Sequence, residues 1–420
     1  MATTNDNRFF KNYNTWTSGN ELRFSNLSNQ RVVPEFINSV KRLHLKFNHK
    51  TIRLNFEEIK TIYPFPTTAI SGCIHYFKNN YGIEFEFLNV PEYLHNIHFE
   101  APIVVDETKI DRHTDCLDKI WMFSNSDQVH ALVNGLLANI RKAIECEPGV
   151  IDACTWGLNE IMDNVIQHSE ADCGFIMAVV HKKTKHISIC IFDYGIGIYK
   201  SLKNSGNHKP KSAPDAISLA VQEGITRDKS VGQGNGMWGL YNIVNLNTGI
   251  MTIISGKGGL SLNKGIMKTF EEIQMLSKEQ QATIVSFNLN LSKDISIKEA
   301  LGGHELTDMY IENMEDEHDR IVFRIADATS GTGTRQSGLK LKNEIINLYK
   351  KTKKPILIDF AEIGIVSSSF ADEFIGKMVI DLGFFQFQQI YTLINMNTTI
   401  QSIVQRSLSQ RMAESIKGKN

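Results

Sequence analysis

The chain lacks four things, and each absence removes a class of function. It lacks a charge excess: Lys and Arg number 45 against 46 for Asp and Glu over 420 residues. There is therefore no global basic footprint for nucleic acid, and only a local patch stays open. It lacks a C-x-x-C pair among Cys73, Cys116, Cys146, Cys154, Cys173 and Cys190. That argues against a zinc ribbon or a thioredoxin motif, and scattered thiols read as small buried hydrophobes in a reducing compartment. It lacks a run of 18 apolar residues, so no membrane span is expected. Met1 to Asn7 holds no basic stretch ahead of an apolar core, so no signal peptide is expected. These absences predict a soluble, cytoplasmic protein.

What is present divides by pattern. The chain is too long for one typical domain, and its 42% apolar and 22% charged residues are ordinary for a globular protein. In residues 1–105, Thr51 to Phe56 alternates as a half-buried strand, and Pro64 and Pro66 punctuate a loop. Thr67 and Thr68 stand where a helix can begin, and Gly82 to Leu88 alternates again. The reading is a strand–helix–strand unit, followed by a linker over 106–124.

Residues 125–292 carry two helical patterns, Gln128–Glu145 and Ile151–His168. Phe175–Val180 and His186–Phe192 read as paired strands joined at Lys182 to Lys185. Met251–Ser255 and Ala282–Leu291 add strands, which together suggest an α+β sandwich. Residues 300–412 alternate strands (Ile321–Ala326, Pro355–Phe360, Gln389–Leu393) with helices (Leu339–Lys350, Ala371–Leu382), an α/β layer. Ile52 to Ile59 echoes Ile356 to Ile363, and each is followed by hydroxyl residues and a helix. This predicts two copies of one small fold on either side of the central segment.

The chemistry concentrates in three stretches of the central segment. Glu160 and Asn164 lie four residues apart, on one face of a helix. An Asn amide oxygen can ligate Mg²⁺ without repelling a triphosphate, and a carboxylate one turn earlier can orient or deprotonate a nucleophile. Asp193 ends an apolar strand, where a buried carboxylate needs a partner such as an adenine amino group. Gly195 and Gly197 let the backbone approach a flat base. Gly232, Gly234 and Gly236 precede a helix from Trp238 to Asn245, and backbone N–H groups at such an entrance cradle phosphates. Each element also has a bland reading: a surface pair, a turn, a satisfied His168, a core Trp238. The three in order point to ATP with Mg²⁺.

This constellation resembles the GHKL ATPases: DNA gyrase, the heat-shock chaperone ATPases, MutL, histidine kinases and, closest in style, the anti-sigma-factor serine kinases. The resemblance covers about residues 125–292 and implies a Bergerat-type ATP-binding sandwich. It implies Glu160 as the catalytic base and Asn164 as the Mg²⁺ and nucleotide residue. Asp193, Gly195 and Gly197 match the second box, and Gly232, Gly234, Gly236, Gly239 and Leu240 the third. Thr283 matches the family's late-strand threonine near the adenine, with Ala282 where the family keeps glycine. Residues 199–231 lie where the family keeps its ATP lid.

Residues 300–412 resemble the STAS-like domains found beside such ATPases, on Ile358-Asp359-Phe360 and Val366 to Phe374. In related antagonists a Ser at this position accepts phosphate, which makes Ser368 and Ser369 candidate acceptors; the other reading is a helix N-cap. Residues 1–105 form a weaker match, with Thr67 and Thr68 in that place. The whole is expected to be a central α+β sandwich with α/β STAS-like domains on both sides. Its expected function is an ATP/Mg²⁺-binding regulator that hydrolyses ATP slowly or gates a protein partner or a homodimer. The alternatives are a serine/threonine kinase of the partner-switching type and a scaffold with a vestigial site. A DNA role is not favoured.

Overall fold

The computed structural model describes residues 10–11, 14–225, 236–272, 275–303, 311 and 314–417. They form two compact units: 1–109, 116–133 and 154–290 in the first, 110–115, 134–153 and 291–420 in the second.

The first unit begins with strands β1 (Phe10–Lys11), β2 (Thr15–Ser18) and β3 (Glu21–Phe24), helix α1 (Val32–Lys41), β4 (Thr51–Asn55), helix α2 (Pro64–Tyr81) and β5 (Glu84–Leu88). The five strands form one sheet in chain order, antiparallel through β3 and parallel from β3 to β5. The β4–α2–β5 crossover is the strand–helix–strand unit read from the sequence. Its helix starts earlier than expected. Pro64 is the first residue of α2, where a missing N–H costs nothing and the ring presets a helical φ. Thr67 and Thr68 therefore sit inside α2, fully buried. Gly82, at φ +61°, closes α2 by donating its N–H to Lys78 and Phe77 carbonyls.

A second sheet follows. A short helix α3 (Glu92–Asn96) leads to β6 (Ile103–Val104) and β7 (Trp121–Phe123). Helices α4 (Ser126–Ala143) and α5 (Val150–His168) precede β8 (Gly174–His181) and β9 (His186–Asp193). Helices α6 (Gly197–Asn204), α7 (Ala213–Ala220) and α8 (Gly236–Leu246) precede β10 (Ile250–Ser255), β11 (Gly258–Asn263), β12 (Ile266–Glu271) and β13 (Thr283–Asn290). The eight strands run in the order β12-β11-β10-β13-β9-β8-β7-β6, antiparallel except for β6 and β7. Residues 121–123, inside the expected linker, are thus part of the sheet. Trp121 is buried there and donates its indole N–H to the Cys116 carbonyl at 3.0 Å. Three residues are too few to show alternation, which is why the sequence hides this strand.

One side-chain core spans both sheets. Leu22, Ile52, Leu54 and Phe56 share a cluster with Ile74 of α2 and with Phe175, Met177, Cys190, Phe192, Ile254 and Ile284 of the large sheet. The contact is close because α2 carries Gly72 where it crosses β8 and β9. A Cβ at Gly72 would lie 2.3 Å from Phe192 and 3.0 Å from Phe175. The N-terminal segment therefore continues the core of the central one across position 105. Since strand side chains alternate, Ile189, Ile191 and Asp193 face away from α2. On that other side, a Cβ at Gly157 of α5 would lie 2.9 Å from Phe287 and 3.0 Å from Leu240, so α5 and α8 cover it.

The second unit is built on a parallel three-stranded sheet, β14 (Ile321–Arg324), β15 (Ile356–Asp359) and β16 (Tyr391–Ile394), in that order. It follows helix α9 (Ile297–Ala300) and carries α10 (Ile325–Ala328), α11 (Arg335–Thr352), α12 (Ser368–Ala371), α13 (Lys377–Leu382), α14 (Phe384–Ile390) and α15 (Thr398–Lys417). A π-helical turn, Asp372–Gly376, joins α12 to α13. Asp372 takes a bidentate guanidinium from Arg411 at 2.6 and 2.7 Å. Residues 134–143 of α4 belong to this unit, and α11 satisfies backbone carbonyls at and just beyond the end of α4. Asn343 donates to Lys142 O, and Asn347 donates to Arg141 O and Ile144 O while accepting the Cys146 N–H.

Candidate functional site

The site is assembled by register. On the α5/α8 side of the large sheet, Thr283 at the start of β13 lies directly opposite Asp193 at the end of β9. Ser255, the last residue of β10, lies opposite Thr283. Opposed residues on antiparallel strands point to the same face, so Ser255, Thr283 and Asp193 form one polar row across three strands. Gly174 continues the row on β8 without a side chain.

Asp193 is 5% exposed. Its Oδ1 accepts the Gly195 N–H at 2.8 Å, and among the described residues Oδ2 has no partner. Burial pushes its carboxyl up to about 7, and the Gly195 N–H opposes that rise. The turn that follows leaves no room for a side chain at Gly195. A Cβ at Gly195 would fall 2.0 Å from the Ser169 carbonyl oxygen, and Gly197 has φ +76°. The Gly195 carbonyl accepts N–H groups from Gln281 and Ala282, tying this turn to the β13 entrance. Ala282 itself holds φ +58°, a left-handed conformation that glycine adopts more readily.

The wall of the site comes from α5. Glu160 and Asn164 lie one turn apart there, both part-buried, and neither side chain has a hydrogen-bond partner among the described residues. Burial, with the nearby Asp163 charge second, raises the Glu160 pKa. The first residue of α8 closes on this carboxylate: a Cβ at Gly236 would lie 1.9 Å from Glu160 Oε2. Trp156 holds the same residue by donating its indole N–H to Gly236 O at 3.3 Å. Gly239 and Leu240 are buried further along α8, Leu240 against Gly157. Gly232 and Gly234 lie outside the described residues.

Sequence reasoning misses three residues that join these pieces. Ser169 follows α5, and its carbonyl accepts the Ile196 N–H at 2.8 Å, linking the Glu160 helix to the glycine turn. Ser255 accepts the Ile198 N–H at 2.9 Å. Gln281 lies against both Gly197 and Gly256. A lone Ser or Gln at an element's end gives no periodic signal, and only the strand register reveals its neighbours.

In the second unit Ser367 is the N-cap, accepting the Phe370 N–H at 3.0 Å. The cap thus falls one residue before Ser368 and Ser369. Ser368 is exposed and Ser369 part-buried with its Oγ 3.1 Å from Ser367 Oγ. Among the described residues no group of three or more His, Cys, Asp or Glu could hold a metal ion by itself. No helix among them is long and apolar enough to cross a membrane.

Residues 337–401 match a family described as a STAS-like domain of unknown function (DUF4325). They run from α11 through β15 to α15. No curated protein matches the chain.

Proposed function

We propose that the first unit binds ATP with Mg²⁺ as a GHKL-type domain, and that the protein is a nucleotide-gated regulator acting on a protein partner through its STAS-like segment. The observation that carries this reading is the convergence of Asp193 and Thr283 in one strand row, on the face where Gly236 closes on Glu160. The residues fit the ligand. Asp193 offers a buried acceptor to an amino group, and Thr283 a hydroxyl beside it. Asn164 offers an amide oxygen to a divalent ion, which commonly takes only one or two protein ligands besides phosphate. The first N–H groups of α8 have no intrahelical acceptor and suit an anion. Bound ATP would supply the transferable phosphoryl group, and Mg²⁺ the charge that offsets it.

Glu160 then serves as general base. Its raised pKa brings it closer to the operating range of such a group. Phosphate release with Mg²⁺, compared between wild type and Glu160→Ala, tests this role. The variant is expected to bind ATP and to lose on the order of 10²–10⁴ in turnover. Equal turnover would remove Glu160 from the chemistry. Wild-type binding without phosphate release would favour the kinase reading, with the exposed Ser368 as the first acceptor to examine by mass spectrometry.

A further inference from the structure

Ser255 is 1% exposed and sits where three backbone and side-chain groups meet. Its Oγ accepts the Ile198 N–H at 2.9 Å, lies 3.1 Å from Thr283 Oγ1, and lies 3.3 Å from the Ala282 carbonyl oxygen. A serine hydroxyl has one proton to give. Given to Ala282 O, it leaves Thr283 to donate back to Ser255, and nothing is offered to a ligand. Given to Thr283 Oγ1, the shorter contact, it turns the Thr283 proton away from Ser255 and toward the Asp193 side of the row. The row then reads as a relay of donors from the Ile198 N–H through Ser255 to Thr283, ending next to a carboxylate acceptor.

A donor beside an acceptor matches one base edge well. On its N1 edge adenine presents an amino donor (to Asp193) next to a ring nitrogen acceptor (to Thr283), whereas guanine presents there an oxo group next to the N1–H. We propose that Ser255 is a positioning residue that sets the Thr283 hydroxyl as a donor to the ring nitrogen beside the amino group of an adenine base. This rests on the nucleotide reading above. It also gives Gly197 a second reason to lack a side chain, since a Cβ there would press on Ser255 Oγ at 3.0 Å. Because Ile198 lies in the first turn of α6, the same hydroxyl ties the base-reading row to the start of that helix.

The test is the affinity of ADP against 1-deaza-ADP, which lacks that ring nitrogen, measured with Mg²⁺ by titration calorimetry. Wild type is expected to prefer ADP by about tenfold, the worth of one good hydrogen bond. In Ser255→Ala the preference falls to near one because ADP binding weakens while 1-deaza-ADP binding does not. Ser255→Cys fills similar space with a poorer donor and should lose the preference too. Ser255→Thr keeps the hydroxyl and should retain it. Equal binding of the two ligands by wild type would overturn the proposal, whatever the variants do. So would an equal loss of both ligands in Ser255→Ala and Ser255→Cys. If wild type binds neither ligand, the nucleotide reading fails and this inference falls with it.

Discussion

Asp193 is more deeply buried than Glu160, the other carboxylate of the candidate site, and its environment makes a testable demand. Burial pushes its carboxyl up to about 7 from an ordinary 3.8. Between those values the folded state holds a proton that the unfolded chain has released, so stability falls as pH rises through that window and levels off above it. Asp193→Asn keeps the shape, keeps an oxygen for the Gly195 N–H, and removes the charge. Without ligand, it should therefore unfold at a higher temperature than wild type at pH 8, with the gap shrinking toward pH 5. A gap that stays constant with pH would show that Asp193 is not the titrating group. The burial of Asp193 is legible in the sequence because it ends an apolar strand, and a buried carboxylate is costly unless something binds it. Ser255 and Ser169 are not legible. Their roles depend on which strand lies beside them and on a backbone carbonyl that no residue type announces.

At the scale of elements, periodic patterns read well and short or irregular ones do not. Strands β4, β8, β9, β10 and β13 and helices α4, α5 and α11 appear close to where alternation and helical spacing put them. Strands β11 and β12 are hidden: Gly258 and Gly259 begin the first, and the second is almost wholly exposed, so neither shows clean alternation. Pro64 and Pro66 look like a loop in the sequence although both lie in the first turn of α2. The π-helical turn after α12 has no recognisable spacing. Helix α2 shows how an element can depend on one position. It lies as close as it does to β8 and β9 because Gly72 has no side chain facing Phe192. Gly72→Ala should force the Phe192 ring aside and cost about 1–3 kcal/mol, as overpacking generally does. Urea unfolding would measure it, and an unchanged midpoint would mean that the sheet yields freely at this contact. Since Phe192 precedes Asp193, nucleotide affinity is expected to weaken along with stability.

Over the whole molecule, the chain divides into two units. The first gathers Glu160, Asn164, Asp193 and Thr283 on one side of an eight-stranded sheet, and α2 packs on the other side at β8 and β9. The second carries the STAS-like match and, with it, residues 134–143 of α4 and the first residues of α5, up to Ala153. Helix α5 therefore begins in the second unit and carries Glu160 and Asn164 in the first. An expectation of separate N-terminal and central segments misses the shared core because burial against a neighbouring sheet looks, in sequence, like burial within a domain. The proposed role of the Asp193–Thr283 row is to read an adenine nucleotide. Its most direct test is calorimetric titration of Mg²⁺-ATP into wild type and Asp193→Asn, whose outward amide N–H₂ would oppose an amino donor. Saturable one-site binding by wild type, weakened at least about tenfold in the variant, is the predicted result. No binding by wild type, or equal binding by both proteins, would contradict the account.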